Sequence, residues 1–379
     1  MSLGADSLAE MIDHIGRLVE CESPSDDLDA VARSADVVAQ LGSQLLGTEP
    51  ERLVVEGRTH LRWRFGDAPR VLVLGHHDTV WPIGSLVDHP FEVRDGILRG
   101  PGCFDMKAGL VMALHALAAL DDLDGVSLLI TGDEEPGSDT SRVIIEQEAR
   151  LCIAALVLEA AGPGGALKTR RKGVSRYDLT VRGRAAHAGL DPERGVNASI
   201  ELAHQILAVA ELADSAAGTT VTPSLVEAGS SVNTVPAEAR LAVDVRTTSA
   251  AEQFRIDRAM RALAPVLERA HLEVAGGANR PPLEETASAD LFRLADGLAR
   301  EMGMGPLTCV AVGGASDGNF TAGVGTPTLD GLGAVGGGAH ADDEHVLVSE
   351  LLGRTRLLAA LMSRLLIHGT SWVATNAAR

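Results

Sequence analysis

Three places in this chain put histidine or acidic side chains directly after a short apolar run. Residues 71–74 (VLVL) lead into His76-His77-Asp78-Thr79, residues 126–130 (VSLLI) into Asp133-Glu134-Glu135, and residues 154–158 (AALVL) into Glu159. Side chains alternate along an extended segment, so His76 and Asp78 share one face and His77 points the other way. A neutral imidazole binds a metal ion through one nitrogen while a carboxylate orients it through the other, and His76 with Asp78 suits that pairing. His77 is the alternative ligand, and a solvated loop end is the alternative to any metal site. Adjacent carboxylates diverge, so one of Glu134 and Glu135 can hold a metal while the other activates a water; as a bare pair they also suit a charged turn. Asp105, in the turn-rich Gly100-Pro-Gly-Cys-Phe-Asp-Met-Lys107, stands just before an Ala/Leu-rich run and could equally cap its helix. Cys103 has no base beside it in sequence and reads as a buried spectator. His340, in Gly338-Ala-His-Ala-Asp, completes a His/carboxylate set of the type that holds paired zinc ions.

These residues need a scaffold that brings the three runs together. Each run has the length of a buried strand, and residues 108–120 between the first two have helical length. Strand, helix, strand is the order of an α/β sheet, whose sites lie beyond the carboxyl ends of the strands. From about Val174 the pattern changes. Residues 177–182 alternate like a half-exposed strand, 196–212 read as a helix, and 224–246 hold two strand-like runs; 251–270 read as a second helix and 271–274 as a last strand. That order, βαββαβ, is a ferredoxin-like unit. Residues 290–302 then read as helical, and the Gly-rich stretch 313–338 returns to short apolar runs and turns. The expected organisation is a two-domain α/β protein: a catalytic domain in two segments, 1–173 and 285–379, with a smaller domain, 174–284, inserted between them.

The charge balance narrows the partners. With 33 basic against 52 acidic residues, a formal −19, the chain has the wrong sign for phosphate backbones or anionic lipid, so neither nucleic acid nor a membrane surface is expected. An anionic substrate must be drawn in by a few local arginines working against the overall field. The 4 cysteines form no CxxC pair and suggest neither a disulfide framework nor a thiolate zinc site. The first residues carry acids where a signal peptide needs positive charge, and no apolar span of ~20 residues occurs, so a cytoplasmic location is expected.

Taken together, HHDTV at 76–80, GPGCFDMKAG at 100–109, TGDEEPGS at 131–138, LVLEAAG at 156–162, GRAAHAGLDPERGVNA at 183–198, SSVNTVPAEARLAVDVR at 230–246 and GGASDGNF at 313–320 resemble the M20 family of metallopeptidases, particularly its glutamate carboxypeptidase branch. The resemblance implies a zinc-aminopeptidase-like catalytic domain with an inserted dimerisation lid, and a homodimer. It implies two zinc ions, replaceable by cobalt, with His76 and Glu159 on one, Glu135 and His340 on the other, and Asp105 on both. Asp78 would orient His76, and Glu134 would be the general base. The position of His187 implies an oxyanion-stabilising histidine that reaches the partner's site. Asn233 and Arg246, with Arg280 as a third contact, would hold the substrate's terminal carboxylate. The family often has a cis peptide after the bridging aspartate, here Asp105-Met106. The implied substrate is a peptide or N-acyl amino acid, cleaved by a carboxypeptidase or by an aminoacylase. A catalytically silent zinc protein would keep the ligands but has no use for Glu134. One departure is His345, where the family commonly has Tyr; its imidazole could compete with His340 as a ligand.

Overall fold

The computed structural model describes residues 3–369. The chain forms two compact units: one runs to Arg170 and resumes over Glu284–Val312 and from Ser316 onward, the other is Arg171–Leu283 with Gly313–Ala315.

The first unit is built on a six-stranded sheet in the order Glu51–Val55, Arg58–Arg64, Val126–Thr131, Val71–His76, Ala154–Val157, Thr328–Leu329. Val71–His76 lies parallel to both its neighbours, while Arg58–Arg64 joins Val126–Thr131 antiparallel and Glu51–Val55 forms the edge beyond it. The unbroken apolar runs follow from helices covering both faces. Val71 and Val73 join a core with Met11, Leu110 and Leu358, whereas Leu72 and Leu74 join another with Ile145, Ala149 and Phe320. The helices Ala5–Glu20, Leu28–Leu46, Ala108–Ala118, Glu285–Glu301 and Val348–His368 supply the first core, and Arg142–Leu151 and Gly318–Gly323 the second. No described helix is long and apolar enough to cross a membrane.

The second unit is an antiparallel sheet in the order Thr220–Ala228, Glu238–Thr247, Gly173–Arg182, His271–Arg280, with helices Ala198–Ala210 and Ala250–Arg261. Chain order and strand order are those of a βαββαβ fold. Its core is one face of the strands, Tyr177, Leu179 and Val181 against Leu241, Val243 and Val245. Two boundaries differ from the sequence reading. The helix expected to reach residue 270 stops at Arg261, because Pro265 disfavours helix at the preceding residue and the Glu201 carboxylate accepts hydrogen bonds from Val266 N and Leu267 N instead. The strand expected to end at 274 continues to Arg280. It runs on through Gly276 (φ 89°), which lies so close to Arg176 O that a Cβ there would be 2.2 Å from it.

Within the first unit, the buried His14 Nδ1 and His115 Nε2 meet at 3.1 Å between the helices Ala5–Glu20 and Ala108–Ala118. Burial, and secondarily His14, pushes His115 down to about 4. The unfolded chain therefore takes up a proton near pH 6.5 that the folded state refuses until about pH 4, and stability falls as pH drops through that window. The loss is on the order of 3 kcal/mol at full extent. Urea unfolding of wild type and His115→Gln from pH 7.5 to 4.5 should show a shallower pH slope in the variant. Apart from His14, which touches the replaced side chain, the acid response of the other groups is common to both proteins, so equal slopes would remove the His14–His115 pair from the account.

Candidate metal centre

The reactive residues of the first unit gather where the sequence placed them, at the carboxyl ends of adjacent parallel strands. His76 ends Val71–His76, Glu159 follows Ala154–Val157 by two residues, and Glu134 and Glu135 follow Val126–Thr131. Asp105 sits in the irregular segment Cys103–Lys107, before a cis Asp105-Met106 bond. It caps nothing: the residue at the cap of Ala108–Ala118 is Lys107, and the helix has no side-chain cap. His340 takes a left-handed backbone (φ 62°), a conformation costing roughly 1 kcal/mol or more in a residue with a β-carbon.

Two ligand sets result, His76 with Asp105 and Glu159, and Asp105 with Glu135 and His340; within each, the candidate atoms lie within 4.8 Å of one another. His76 Nε2 is 3.5 Å from Asp105 Oδ1 and 3.7 Å from Glu159 Oε1. His340 Nε2 is 3.4 Å from Asp105 Oδ2 and 3.3 Å from Glu135 Oε2. Direct charge-assisted hydrogen bonds would be shorter, about 2.7–2.9 Å. Two atoms each about 2.0–2.2 Å from a tetrahedral ion stand roughly 3.3–3.6 Å apart; the spacings to Asp105 and Glu135 fall in that range, and the one from His76 to Glu159 is slightly longer at 3.7 Å. Asp105 turns a different oxygen to each histidine, as a bridging ligand must. His76 Nε2, the nitrogen that faces Asp105 and Glu159, is buried and makes no hydrogen bond, a costly state for a polar atom that a bound metal would relieve. The donor set, imidazoles and carboxylates without thiolate, fits zinc.

The electrostatics agree with a cation site. Asp105 and Glu135 push the His340 imidazole up to about 10. Burial opposes it, but Asp105 and Asp78 also raise His76. Asp105 lies far below the usual carboxylate range, held there against burial by His340 and His76. Burial pushes Glu135 up and the Asp105 charge adds to it, against the lowering pull of His340 and His76.

Around the ligands the tautomers are fixed. His76 Nδ1 lies 3.0 Å from the carbonyl of Asp78, an acceptor only, so Nδ1 carries the proton and Nε2 keeps its lone pair. The Asp78 carboxylate is a little farther, at 3.4 Å. It also accepts from Ser25 Oγ (2.6 Å), Glu134 N (3.2 Å) and Glu135 N (3.3 Å), so it holds the backbone of the acidic pair as well as the imidazole. His77 points away, Nε2 donating to Thr59 O at 3.1 Å, and belongs to neither set. His345 Nδ1 donates to Asp343 O at 2.8 Å and is outside both sets too. Cys103 is fully buried, and burial pushes its thiol upward, so it stays neutral. Three more residues support the site: Ser25 and Glu344, both absent from the sequence reading, and Asp317 of the 313–320 motif, to which that reading gave no role and which accepts from Thr131 Oγ1 at 3.0 Å and from Ser138 Oγ. Ser25 and Glu344 carry no local signal, and all three are made useful by chain far away in sequence.

The remaining candidates are in the second unit, at two separate places. Val174 pairs with Arg246 on one side and Arg280 on the other, so both arginines stand level on the same face at one end of the sheet. Arg246 Nε and Nη2 bond both oxygens of Asp244, at 2.8 and 3.0 Å. His187 and Asn233 extend the opposite end of the same strand pair, beyond Arg182 and Glu238, with Ala188 N bonded to Asn233 O. Eight residues of strand separate the levels of Val174 and Arg182, about 26 Å at 3.3 Å per residue. The exposed His187 accepts at Nδ1 from Gly189 N and Leu190 N, both 3.1 Å, which leaves its proton on Nε2.

Comparison with known proteins gives a consistent picture. The model of "Peptidase family M20/M25/M40" matches residues 72–364. Carboxypeptidase G2 of Pseudomonas sp. (strain RS-16) is 29% identical over 374 residues, covering 94% of this chain and 89% of that protein. A succinyl-diaminopimelate desuccinylase of Xanthomonas euvesicatoria pv. vesicatoria is 30% identical over 380 residues, covering 90% of this chain and 98% of that enzyme. The M20 family metallo-carboxypeptidase of Sulfolobus solfataricus shares the fold, with a TM-score of 0.71 at 17% identity over 94% of this chain and 99% of that one.

Proposed function

The chain belongs to peptidase family M20 and is a metal-dependent hydrolase, and from this we propose that it is a dinuclear zinc carboxypeptidase releasing a C-terminal amino acid of the glutamate type. The observation that carries the reading is Asp105, one oxygen toward each histidine at ligand-to-ligand spacing. His76 and Glu159 would hold one ion, Glu135 and His340 the other. Bound zinc supplies Lewis acidity to the scissile carbonyl. Glu134, buried and fixed through its N–H to Asp78, takes a proton from the attacking water and returns it to the leaving amine. Arg246 and Arg280 answer the need for local positive charge, and the two bonds to Asp244 orient the Arg246 guanidinium while Nη1 meets the substrate carboxylate. His187, with its proton on Nε2, donates to the developing oxyanion. One carboxylate cannot be held by Asn233 and Arg246 of a single copy across about 26 Å of sheet, so we read the protein as a homodimer whose sites combine residues of two copies. The 4 free cysteines suit a cytoplasmic enzyme.

An N-acyl-amino-acid deacylase uses the same site with a different group on the amine side, and the desuccinylase relative favours it as the second reading. Mass-spectrometric detection of products from a panel of peptidyl and N-acyl amino acids separates the two. Metal dependence comes first: dialysis against a strong chelator is expected to abolish hydrolysis, and added zinc or cobalt to restore it. Full activity in protein shown by elemental analysis to be metal-free would sink the mechanism.

A further inference from the structure

Glu344 is a buried acid, 3% exposed, whose hydrogen-bond partners are four N–H groups. Oε1 accepts from Phe104 N (2.8 Å) and Asp105 N (3.0 Å), and Oε2 from Gly102 N (3.0 Å) and the indole Nε1 of Trp81 (2.7 Å). Three of these donors belong to the segment that carries Asp105. The fourth lies three residues after Asp78, and Glu344 itself lies four residues after His340. One carboxylate thus ties together the chain that bears His76 and Asp78, the chain that bears Asp105, and the chain that bears His340.

A buried charge is costly, and burial does push this carboxyl upward. The four donors explain why an acid stands here. Each carboxylate oxygen accepts two N–H groups, whereas an amide offers one oxygen and would turn its own N–H bonds against two of the donors. Bonds to an ionised acceptor are also about twice as strong as neutral ones.

We propose that Glu344 is a positioning residue for the metal centre, holding the backbone of residues 102–105 so that Asp105 presents one oxygen to each ligand set. Asp105 has no rigid element of its own: the segment Cys103–Lys107 has non-helical backbone at Asp105 and Met106. Its aim is set by the bonds that fix that backbone, and Glu344 makes three of them. The proposal rests on the dinuclear reading above.

The test uses the full chain, stripped of metal and titrated with zinc against a chromogenic chelator, with thermal unfolding of the metal-free proteins alongside. In Glu344→Gln, zinc affinity should fall about 10- to 100-fold, the usual effect of losing an outer partner of a ligand, with kcat falling in parallel. The metal-free melting temperature should change little. Glu344→Asp keeps the charge one methylene short and should bind zinc with intermediate affinity. Trp81→Phe removes the one donor outside the Asp105 segment and should cost less than Glu344→Gln. Wild-type zinc affinity in Glu344→Gln overturns the proposal, as does lost metal-free stability with unchanged affinity. If Glu344→Gln fails to fold, Glu344→Asp decides by the same criterion. A wild-type chain that binds no zinc would refute the dinuclear reading instead, so the two failures stay distinct.

Discussion

Glu134→Gln is expected to retain near-normal zinc and lose kcat by about 10²-fold or more, the usual worth of a general base. The change is isosteric, and an amide cannot take a proton from water. The scaffold makes the experiment clean: Asp78 accepts hydrogen bonds from the backbone N–H of both Glu134 and Glu135, so the segment stays in place when one side chain is neutralised. Glu135→Gln should behave differently. Glu135 Oε2 stands 3.3 Å from His340 Nε2, and Asp105 Oδ2 stands 3.4 Å from the same nitrogen, so its loss should deplete one of the two proposed ions. Zinc per chain by elemental analysis and kcat on one substrate, measured on both variants, separate base from ligand. Wild-type kcat in Glu134→Gln would remove it from the chemistry, and full zinc in Glu135→Gln would remove that residue from the ligand set.

How far the sequence discloses this site depends on the range of the interaction. Buried parallel strands are continuous apolar runs because both faces are covered, so Val71–His76, Val126–Thr131 and Ala154–Val157 are visible without a structure, and so are the residues at their carboxyl ends. Asp105 is less legible. Before an Ala/Leu-rich helix it has the type and position of a cap, and only the irregular backbone of Cys103–Lys107 turns it toward the two histidines. Glu344 is illegible: its four donors lie about 240 to 260 residues earlier in the chain. Arg246 shows a subtler limit. Its i−2 neighbour Asp244 shares its strand face, a relation visible in sequence, yet only the coordinates show both carboxylate oxygens engaged. Helix ends fail for a local reason, as at Arg261, where Pro265 outweighs the helical pattern that continues past it.

The register of the second unit leads to the last expected result, recovery of activity on mixing two inactive proteins. In one copy, His187 and Asn233 lie at the opposite end of the sheet from Arg246 and Arg280, about 26 Å or more apart. A site that uses all four must therefore draw on two copies, and a symmetric dimer would contain two such composite sites. His187→Ala and Glu134→Ala homodimers should each be nearly inactive, the first for want of an oxyanion donor and the second for want of a base. Under conditions that allow subunit exchange, random pairing makes half the dimers mixed. Each mixed dimer has one site with an intact Glu134 and an intact His187 donated across the interface, and one site lacking both. Activity should then recover to roughly a quarter of wild type, a half of the dimers each with half of its sites. A His187 that serves its own chain gives no recovery, because every site still misses one group. Native mass spectrometry confirms the exchange, and exchanged dimers without activity would place His187 in its own chain's site or outside the chemistry altogether.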